Sequence, residues 1–201
     1  MRTRITIFTL LVTTFAAMNT HAQDIYQVDA DVSSVTFKVS QLGIALVRGR
    51  VDDFEGTLVL EGDRLTKCDG IVGIPSLDTG IRARDKDLKS KNFFDAEDFP
   101  SMKIKSNQIV QDQDNITVQS YLTIRDVTKL IDFQGKLERE DGQTMDLTLV
   151  CKINRKDFGL GLNKVFEFFV GNKVSISLKL RAVQKAPQTA HEKDVSFLKR
   201  G

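Results

Sequence analysis

Residues 174–181, Val-Ser-Ile-Ser-Leu-Lys-Leu-Arg, carry the clearest secondary-structure signal in the chain. Apolar and polar side chains alternate along them without a break. Successive side chains of a β-strand point to opposite faces of a sheet, so a period of two predicts a strand with one apolar and one wetter face. Antiparallel sheets commonly divide their faces in this way. The stretch therefore predicts an antiparallel, mainly β protein.

The same alternation extends outward from this stretch. It recurs at residues 147–153 and 35–39, and further strands are predicted at 44–51, 57–60, 68–74, 102–110, 116–124 and 130–137. Turn residues lie between these runs, at Glu61-Gly62-Asp63, Asp114-Asn115, Asp141-Gly142 and Gly171-Asn172. Asp-Gly is a strong hairpin signal because it tolerates positive φ. Eight to ten short strands at such spacing predict a barrel or a sandwich.

One segment departs from the alternation. Residues 81–94 are dense in charge and end in the Phe93-Phe94 pair, which predicts a short helix with Asp78 or Thr79 as its N-cap. Pro100 closes the segment. From residue 185 onward the chain is polar and shows no sustained period, which predicts a flexible tail over 185–201.

The first 22 residues have the layout of a secretory signal peptide. Arg2 and Arg4 precede an uncharged apolar stretch at 5–18, and small residues stand at Thr20 and Ala22. An uncleaved anchor helix is disfavoured, because a span needs about twenty apolar residues. We expect cleavage after Ala22, a periplasmic protein without stable membrane insertion, and one folded domain at 23–184.

Charge and histidine content exclude several classes of function. The chain has 201 residues with 29 basic and 27 acidic side chains, and the predicted leader removes two arginines, so the mature counts are equal. That balance gives no reason to expect a nucleic-acid partner. The two histidines, His21 and His191, lie in the leader and the tail. A domain without histidine excludes Ser-His and Cys-His catalysis and histidine-ligated metals, so we expect no cofactor.

Three acidic motifs are candidates for chemical sites. Asp95 with Glu97 and Asp98, and Asp112 with Asp114, are interpreted as turns, and Asp157-Phe158-Gly159 is interpreted as a coincidental match. The second lacks the glycine of a calcium loop, and the third lacks the companion motifs of a kinase. Cys68 and Cys151 both fall at apolar positions of predicted strands. In an oxidising compartment they could form one disulfide, and two buried free thiols are the alternative.

A family resemblance emerges from several ordered motifs. Asp29, Ser33, Val35, Phe37, Val39, Leu42 and Gly43 open the pattern. It continues through residues 76–80, 84–90, 93–95, 99–100, 104–106, 122–129 and 153–159. Together these motifs resemble the YceI-like family of exported polyisoprenoid-binding proteins, from about Tyr26 to Val183. The family often has histidine where Val32, Gln41 and Asp87 stand here, so any role of those histidines is absent.

The resemblance implies a lipocalin-like antiparallel β-barrel of about eight strands with a short helical segment packed on it. It also implies an elongated apolar cavity for an isoprenoid or a similar long-chain amphiphile, and no established catalysis. The function predicted is periplasmic binding, transport or sequestration of such a lipid. The alternatives are an envelope stress or assembly module without a lipid ligand, and a lipid-modifying enzyme. A homodimer is compatible with each of these, and the sequence does not name the lipid.

The alternation predicts which side chains face the interior, where they line the cavity or simply fill the core. They are Val35, Phe37, Val39, Val72, Ile74, Leu122, Ile124, Phe133, Leu149, Ile153, Phe158, Val174, Ile176 and Leu178. Arg84, Arg155 and Lys173 are candidates for holding a polar head group at the mouth, and the two arginines could instead pair with Asp85 and Asp157.

Overall fold

Strands dominate the computed structural model, which describes residues 23–41, 45–161 and 170–185. The strands are β1 (Gln23–Val28), β2 (Ser34–Gln41), β3 (Ala45–Val51), β4 (Phe54–Glu61), β5 (Arg64–Gly73), β6 (Leu77–Asp78), β7 (Ser101–Asp112), β8 (Asn115–Ile124), β9 (Val127–Arg139), β10 (Thr144–Asn154) and β11 (Val170–Gln184). One helix, α1, spans Arg82–Lys89, and 3-10 turns lie at Ile74–Ser76 and Arg155–Phe158. No helix in the described ranges is long and apolar enough to cross a membrane.

Eight strands close into a ring. Their order is β1-β4-β5-β7-β8-β9-β10-β11, and β11 pairs back with β1, with Tyr26 opposite Gln184. The other three strands extend this wall, since β2 pairs with the first part of β11, β3 pairs with β2, and β6 pairs with β3. All of these pairings are antiparallel. The prediction of an antiparallel barrel of about eight strands with one helical segment is confirmed.

The two ends of the barrel differ in how tightly they are filled. At the closed end, where the hairpins at 61–64, 112–115 and 139–144 lie, Leu60, Met145 and Leu147 are fully buried. Tyr26 is also buried there, and its hydroxyl donates to the Gly142 carbonyl oxygen at 3.0 Å. The open end is the opposite one, where β2 leads to β3, β8 turns into β9 and β10 leads to β11.

A glycine marks the level at which the wall divides. Strands β9 and β10 pair from Arg139 to Gln134 and then separate, while β9 stays with β8 and β10 stays with β11. A Cβ atom at Gly135 would lie 1.7 Å from the Thr148 carbonyl oxygen, so only glycine permits this close crossing. Beyond it, the 3-10 turn at 155–158 packs against both strands and buries Phe158.

Some predicted elements need correction. Strands β1 and β6 were not predicted, and Gly171-Asn172 lies inside β11, where the pairing with β2 shifts register, rather than in a turn. Ile74 lies in a 3-10 turn rather than at the end of a strand.

The helix also differs from its prediction. Its N-cap is Ile81, without a side-chain capping bond, and it ends before Phe93. Asp78 and Thr79 are therefore not caps. Instead, Thr79 donates its backbone N–H to the Asp85 carboxylate in the first turn, at 2.9 Å. The predicted leader, both histidines, Leu42, Gly43 and residues 186–201 of the predicted tail lie outside the described residues.

Candidate functional site

Three cross-strand pairs of inward side chains lead from the open end into the barrel. In order from the mouth they are Val39 with Val174, Phe37 with Ile176, and Val35 with Leu178. The first two pairs are half-buried, although they face inward, whereas Val35 and Leu178 are 8% and 6% exposed. The interior is thus accessible from the open end and closes at the level of the third pair. We call this accessible interior the lumen.

A glycine on β3 makes room for the aromatic ring in the lumen. Phe37 lies directly opposite Gly49, and a Cβ atom built at Gly49 would lie 2.2 Å from Cζ of the Phe37 ring. The ring therefore occupies the space that a side chain at position 49 would take. A larger residue there would have to push the ring out of its place against β3.

Below the third pair lies a small internal cavity of about 40 Å³. Its lining is almost entirely apolar and comes from all eight strands of the ring and from β2. The lining residues are Val28, Val35, Phe54, Glu55, Gly56, Leu58, Cys68, Asp69, Gly70, Val72, Ile104, Val118, Ser120, Phe133, Leu149, Leu178 and Leu180. A void of this size accommodates about one water molecule or the end of an aliphatic chain.

The predicted lining residues fall into several groups in the structure. Five of them line this cavity: Val35, Val72, Phe133, Leu149 and Leu178. Leu122, Ile124, Ile153 and Phe158 are buried in the same apolar core without lining the cavity. Phe37, Val174 and Ile176 pack against that core from the lumen, and Val39 is half-buried at its mouth. Ile74 is buried but lies apart from the main core.

Side chains join β5 to β7 beside the cavity, below the short stretch where the two backbones pair. Cys68 donates its backbone N–H to Oγ of Ser106 at 3.0 Å. Ser106 in turn donates from both its backbone N and its Oγ to Oδ1 of Asp69, each at 3.0 Å. Ser120, opposite Ser106 on β8, has no hydrogen-bond partner for its Oγ within the described residues, and it is fully buried.

The three head-group candidates have different surroundings. Arg84 donates to the Thr79 hydroxyl and carbonyl oxygens, at 2.8 and 2.9 Å, so Thr79 lies between it and Asp85. Arg155 is 2% exposed. It donates to the carbonyl oxygens of Leu160, Gly171 and Val170, at 2.7, 3.3 and 3.4 Å.

Lys173 is exposed on β11 and lies opposite Asn154, the residue before Arg155. The structure thus brings Lys173 and Arg155 to one side of the open end and places Arg84 on α1.

The structure does not join the cysteines. Cys68 and Cys151 are both buried free thiols. Burial raises the pKa of each thiol to about 12, and the nearby Asp69 carboxylate adds to the effect at Cys68. Of the two alternatives that the sequence left open, the structure has the free thiols, and both remain protonated near neutral pH.

Two other observations bear on the chemistry available. A larger concavity, of about 600 Å³, lies where β9 and β10 part, and its lining combines polar residues such as Lys38, Asp132 and Lys152 with Phe37, Cys151 and Ile176. In the ranges that the structure covers, no group of three or more His, Cys, Asp or Glu side chains is arranged to hold a metal ion.

Comparison with known proteins identifies the family of the chain. Residues 26–182 match the family model of the YceI-like domain. The chain belongs to the YceI-like family. It is similar to Protein YceI of Escherichia coli O17:K52:H18, with 28% identity over 155 residues that cover 73% of this chain and 81% of the relative.

Two solved structures share the YceI-like fold. BcnA of Burkholderia cenocepacia superposes with a TM-score of 0.72 and 20% identity, over 78% of this chain and 99% of BcnA. A polyisoprenoid-binding domain from Saccharophagus degradans superposes with a TM-score of 0.68 and 17% identity, over 80% of this chain and 98% of that domain. At these identities the likeness establishes the fold alone.

Sequence reasoning missed two features of this YceI-like interior. Gly49 and Gly70 face inward. Glycine has no side chain that could be classed as apolar or polar, so an inward glycine cannot be recognised from the alternation of apolar and polar residues. Ser120 also faces inward, between Val118 and Leu122. The serine in an otherwise apolar face was a visible signal, because a buried hydroxyl without a partner is unfavourable and therefore uncommon in a core.

Proposed function

We propose that this YceI-like protein binds a polyisoprenoid or a similar long-chain amphiphilic lipid, with the apolar chain in the lumen. It sequesters or carries the lipid through the periplasm and does not modify it. The observation that carries the proposal is the partial exposure of inward apolar side chains at the open end, at Phe37, Val39, Val174 and Ile176. Toward the closed end of the same strands Val35, Leu178 and Ala182 are at most 8% exposed, and Leu180 is half-buried.

Exposed inward apolar surface favours an apolar ligand. Each buried CH₂ group of a chain is worth about 0.8 kcal/mol, and covering the walls of the lumen adds to that. The polar head of such a lipid would remain in water at the mouth, where Lys173 is exposed. The cavity of about 40 Å³ is too small for a whole chain, so most of the chain would occupy the lumen above it.

The proposal excludes chemistry on the lipid, on the basis of the groups around the interior. Both thiols are held protonated by burial, with pKa values of about 12, and thiolates rather than thiols are nucleophilic. The buried Ser120 hydroxyl has no hydrogen-bond partner within the described residues, so no base is in place there to activate it. The periplasmic location is likewise a proposal, and its support is the leader-like pattern of residues 1–22.

The first experiment is native mass spectrometry of the protein purified from its own periplasm, followed by extraction and identification of any bound lipid. We expect a stoichiometric prenyl or long-chain species. A protein that is recovered without lipid and also fails to bind added polyprenols would contradict the proposal and favour the interaction module.

A matched pair of variants locates the ligand. Gly49→Val should displace the Phe37 ring into the lumen and abolish uptake. Arg48→Val places the same side chain one position away, on the outer face of β3 and in place of an exposed arginine, and should leave uptake unchanged. Thermal melts check that both variants fold. If Gly49→Val is too unstable, Ile176→Phe narrows the lumen at the same level. Equal lipid uptake by the inward variant and the outward control would place the ligand elsewhere.

A further inference from the structure

We infer that the internal cavity is the seat of the far end of the bound chain, and that Gly70 and Ser120 determine which chain ends it accepts. The inference rests on the proposed function, because it concerns the same ligand. It adds a second binding position, below the lumen, with its own selectivity. Two independent observations meet at this cavity, namely an unfilled glycine and an unpartnered hydroxyl.

Gly70 is the glycine whose missing side chain leaves space. It lies on β5 between the inward residues Cys68 and Val72, and it lines the cavity. A Cβ atom built there meets nothing within 4 Å except the Glu55 carbonyl oxygen, at 3.1 Å. Its backbone is not in the left-handed region, so glycine is not required there for conformational reasons.

The other inward glycines along the described wall behave differently. At Gly49 the vacated space holds the Phe37 ring, and at Gly56 a Cβ atom would lie 2.7 Å from a methyl group of Val28. At Gly135 the backbone of β10 fills the space. The protein's own atoms therefore occupy those three spaces. At Gly70 one backbone oxygen, that of Glu55, crowds the position, and the rest of the inward space is left for something that is not part of the protein.

Ser120 supplies the second observation. Its side chain is fully buried on the wall of the same cavity, and its Oγ has no partner within the described residues. The neighbouring Ser106 hydroxyl is already engaged with Cys68 and Asp69. A buried hydroxyl strongly prefers a hydrogen-bond partner, and the cavity has room for about one water molecule. A chain end that fills the cavity would therefore exclude water and leave the hydroxyl unpaired.

The position of the cavity fits a chain end. Val35 and Leu178, the pair at which the lumen closes, also line the cavity, so this one pair lies between the lumen and the cavity. On its far side Leu58, Val118 and Phe133 are each 1% exposed and form a floor. Val39 and Val35 are four positions apart, so a chain must extend about 13 Å along the strand before its end reaches the cavity.

The two residues predict opposite changes in affinity. Gly70→Val fills the seat and should weaken binding of a long chain about ten-fold, since the volume of the chain end has no other place. Gly70→Ala should do the same to a lesser degree and is the milder variant if valine disturbs folding. Ser120→Ala removes the hydroxyl that a bound chain end would leave unpaired, so it should tighten binding of the long chain about three-fold or more.

The test titrates wild type and the three variants with geranylgeraniol, and with geraniol as a chain too short to reach the cavity. For geraniol all four proteins should have the same affinity. If wild type binds neither alcohol, the proposed function fails. If wild type binds both and the variants leave the geranylgeraniol affinity unchanged, or alter both alcohols equally, the chain-end seat fails while lipid binding stands. Melting temperatures confirm that each variant is folded.

Discussion

The closed and open ends of the barrel are built from the same strands, but they use the alternating pattern differently. Along β10, Met145, Leu147 and Leu149 are at most 1% exposed. Along β11, Leu178 is 6% exposed, while Ile176 and Val174 are half-buried. Near the open end, inward apolar positions of β2 and β11 are therefore half-buried wall positions, whereas Cys151 and Ile153 of β10 remain core positions. The pattern alone does not distinguish them, since both bury one face of a strand.

The two ends also differ in what holds them together. Apolar packing fills the closed end, and a few polar contacts at its rim, such as that between Arg181 and Asp146, lie at the surface. At the open end the wall divides beyond Gly135, and the buried guanidinium of Arg155 joins the backbone on either side of the β10–β11 connection. A fold held by packing at one end and by directed hydrogen bonds at the other should respond differently to the same kind of substitution.

The largest expected effect comes from truncating one side chain at each end. Leu147→Ala should lower the free energy of unfolding by about 3 to 4 kcal/mol, because it empties a fully packed site. Ile176→Ala should cost about 1 to 1.5 kcal/mol, because its side chain is only half-buried, and it should weaken lipid binding. Urea denaturation measures both. Equal losses would mean that Ile176 is packed as a core residue and that the comparison of the ends is wrong.

The next effect concerns the polar support of the open end. Arg155→Met should lower the free energy of unfolding by about 2 to 3 kcal/mol, because buried carbonyl oxygens lose a charged donor. Arg155→Lys keeps the charge but not the planar set of donors, so it should recover only part of that loss. Lipid uptake should fall in both variants. A stability unchanged by the methionine variant would show that the connection needs no such support.

A smaller effect is expected at the closed end, where low pH should lower the free energy of unfolding. Two hydrogen bonds from Arg181, at 2.9 and 2.7 Å, lower the pKa of Asp146 below its usual 3.8. A carboxyl whose pKa is lower in the folded state stabilises the fold above the unfolded pKa and loses that contribution as the pH falls through the folded value. Because the pair is over a third exposed, its contribution should be less than about 1 kcal/mol.

Asp146→Asn should therefore be less stable than wild type at pH 7, and the two should converge as the pH falls below about 4. Thermal melts across this range make the comparison. The Asp141 carboxyl should behave in the same direction, since backbone N–H groups of Gln143 and Thr144 lower its pKa. A gap between variant and wild type that stays constant with pH would show that Asp146 acts through packing rather than charge.

The smallest effect is chemical and leaves stability unchanged. With pKa values of about 12, Cys68 and Cys151 should react very slowly with iodoacetamide in the folded protein at pH 8. Unfolding in urea without reductant should expose two reactive thiols, counted by intact mass. Failure to label either cysteine after unfolding would indicate a disulfide and would contradict the structure.

Much of the barrel could be predicted from the sequence. The alternation of apolar and polar side chains is a local feature, and antiparallel strands with one buried face preserve it. β1 was missed because only Tyr26 and Val28 of its six residues are buried, too short a pattern to register. Gly171-Asn172 predicts a turn but lies at the register shift within β11, because turn residues also occur at bulges. The sequence indicates which positions face inward, but the depth of each position along the barrel depends on long-range strand pairing. The cavity at Gly70 and the divided wall at Gly135 are set by that pairing.

The closure of the ring by β1 and β11 has a consequence for how the chain is made and rearranged. Tyr26 lies opposite Gln184, and Lys185 donates its backbone N–H to the Ile25 carbonyl oxygen at 2.7 Å. A chain synthesised from its N-terminus cannot seal the barrel until its last strand exists, and such distant pairing slows folding. The same proximity means that a short linker joining residues 23 and 185 would permit circular permutation. With new termini at the 139–144 hairpin, β11 and β1 would be neighbours in the sequence. Their pairing, which closes the ring, would then be a local contact.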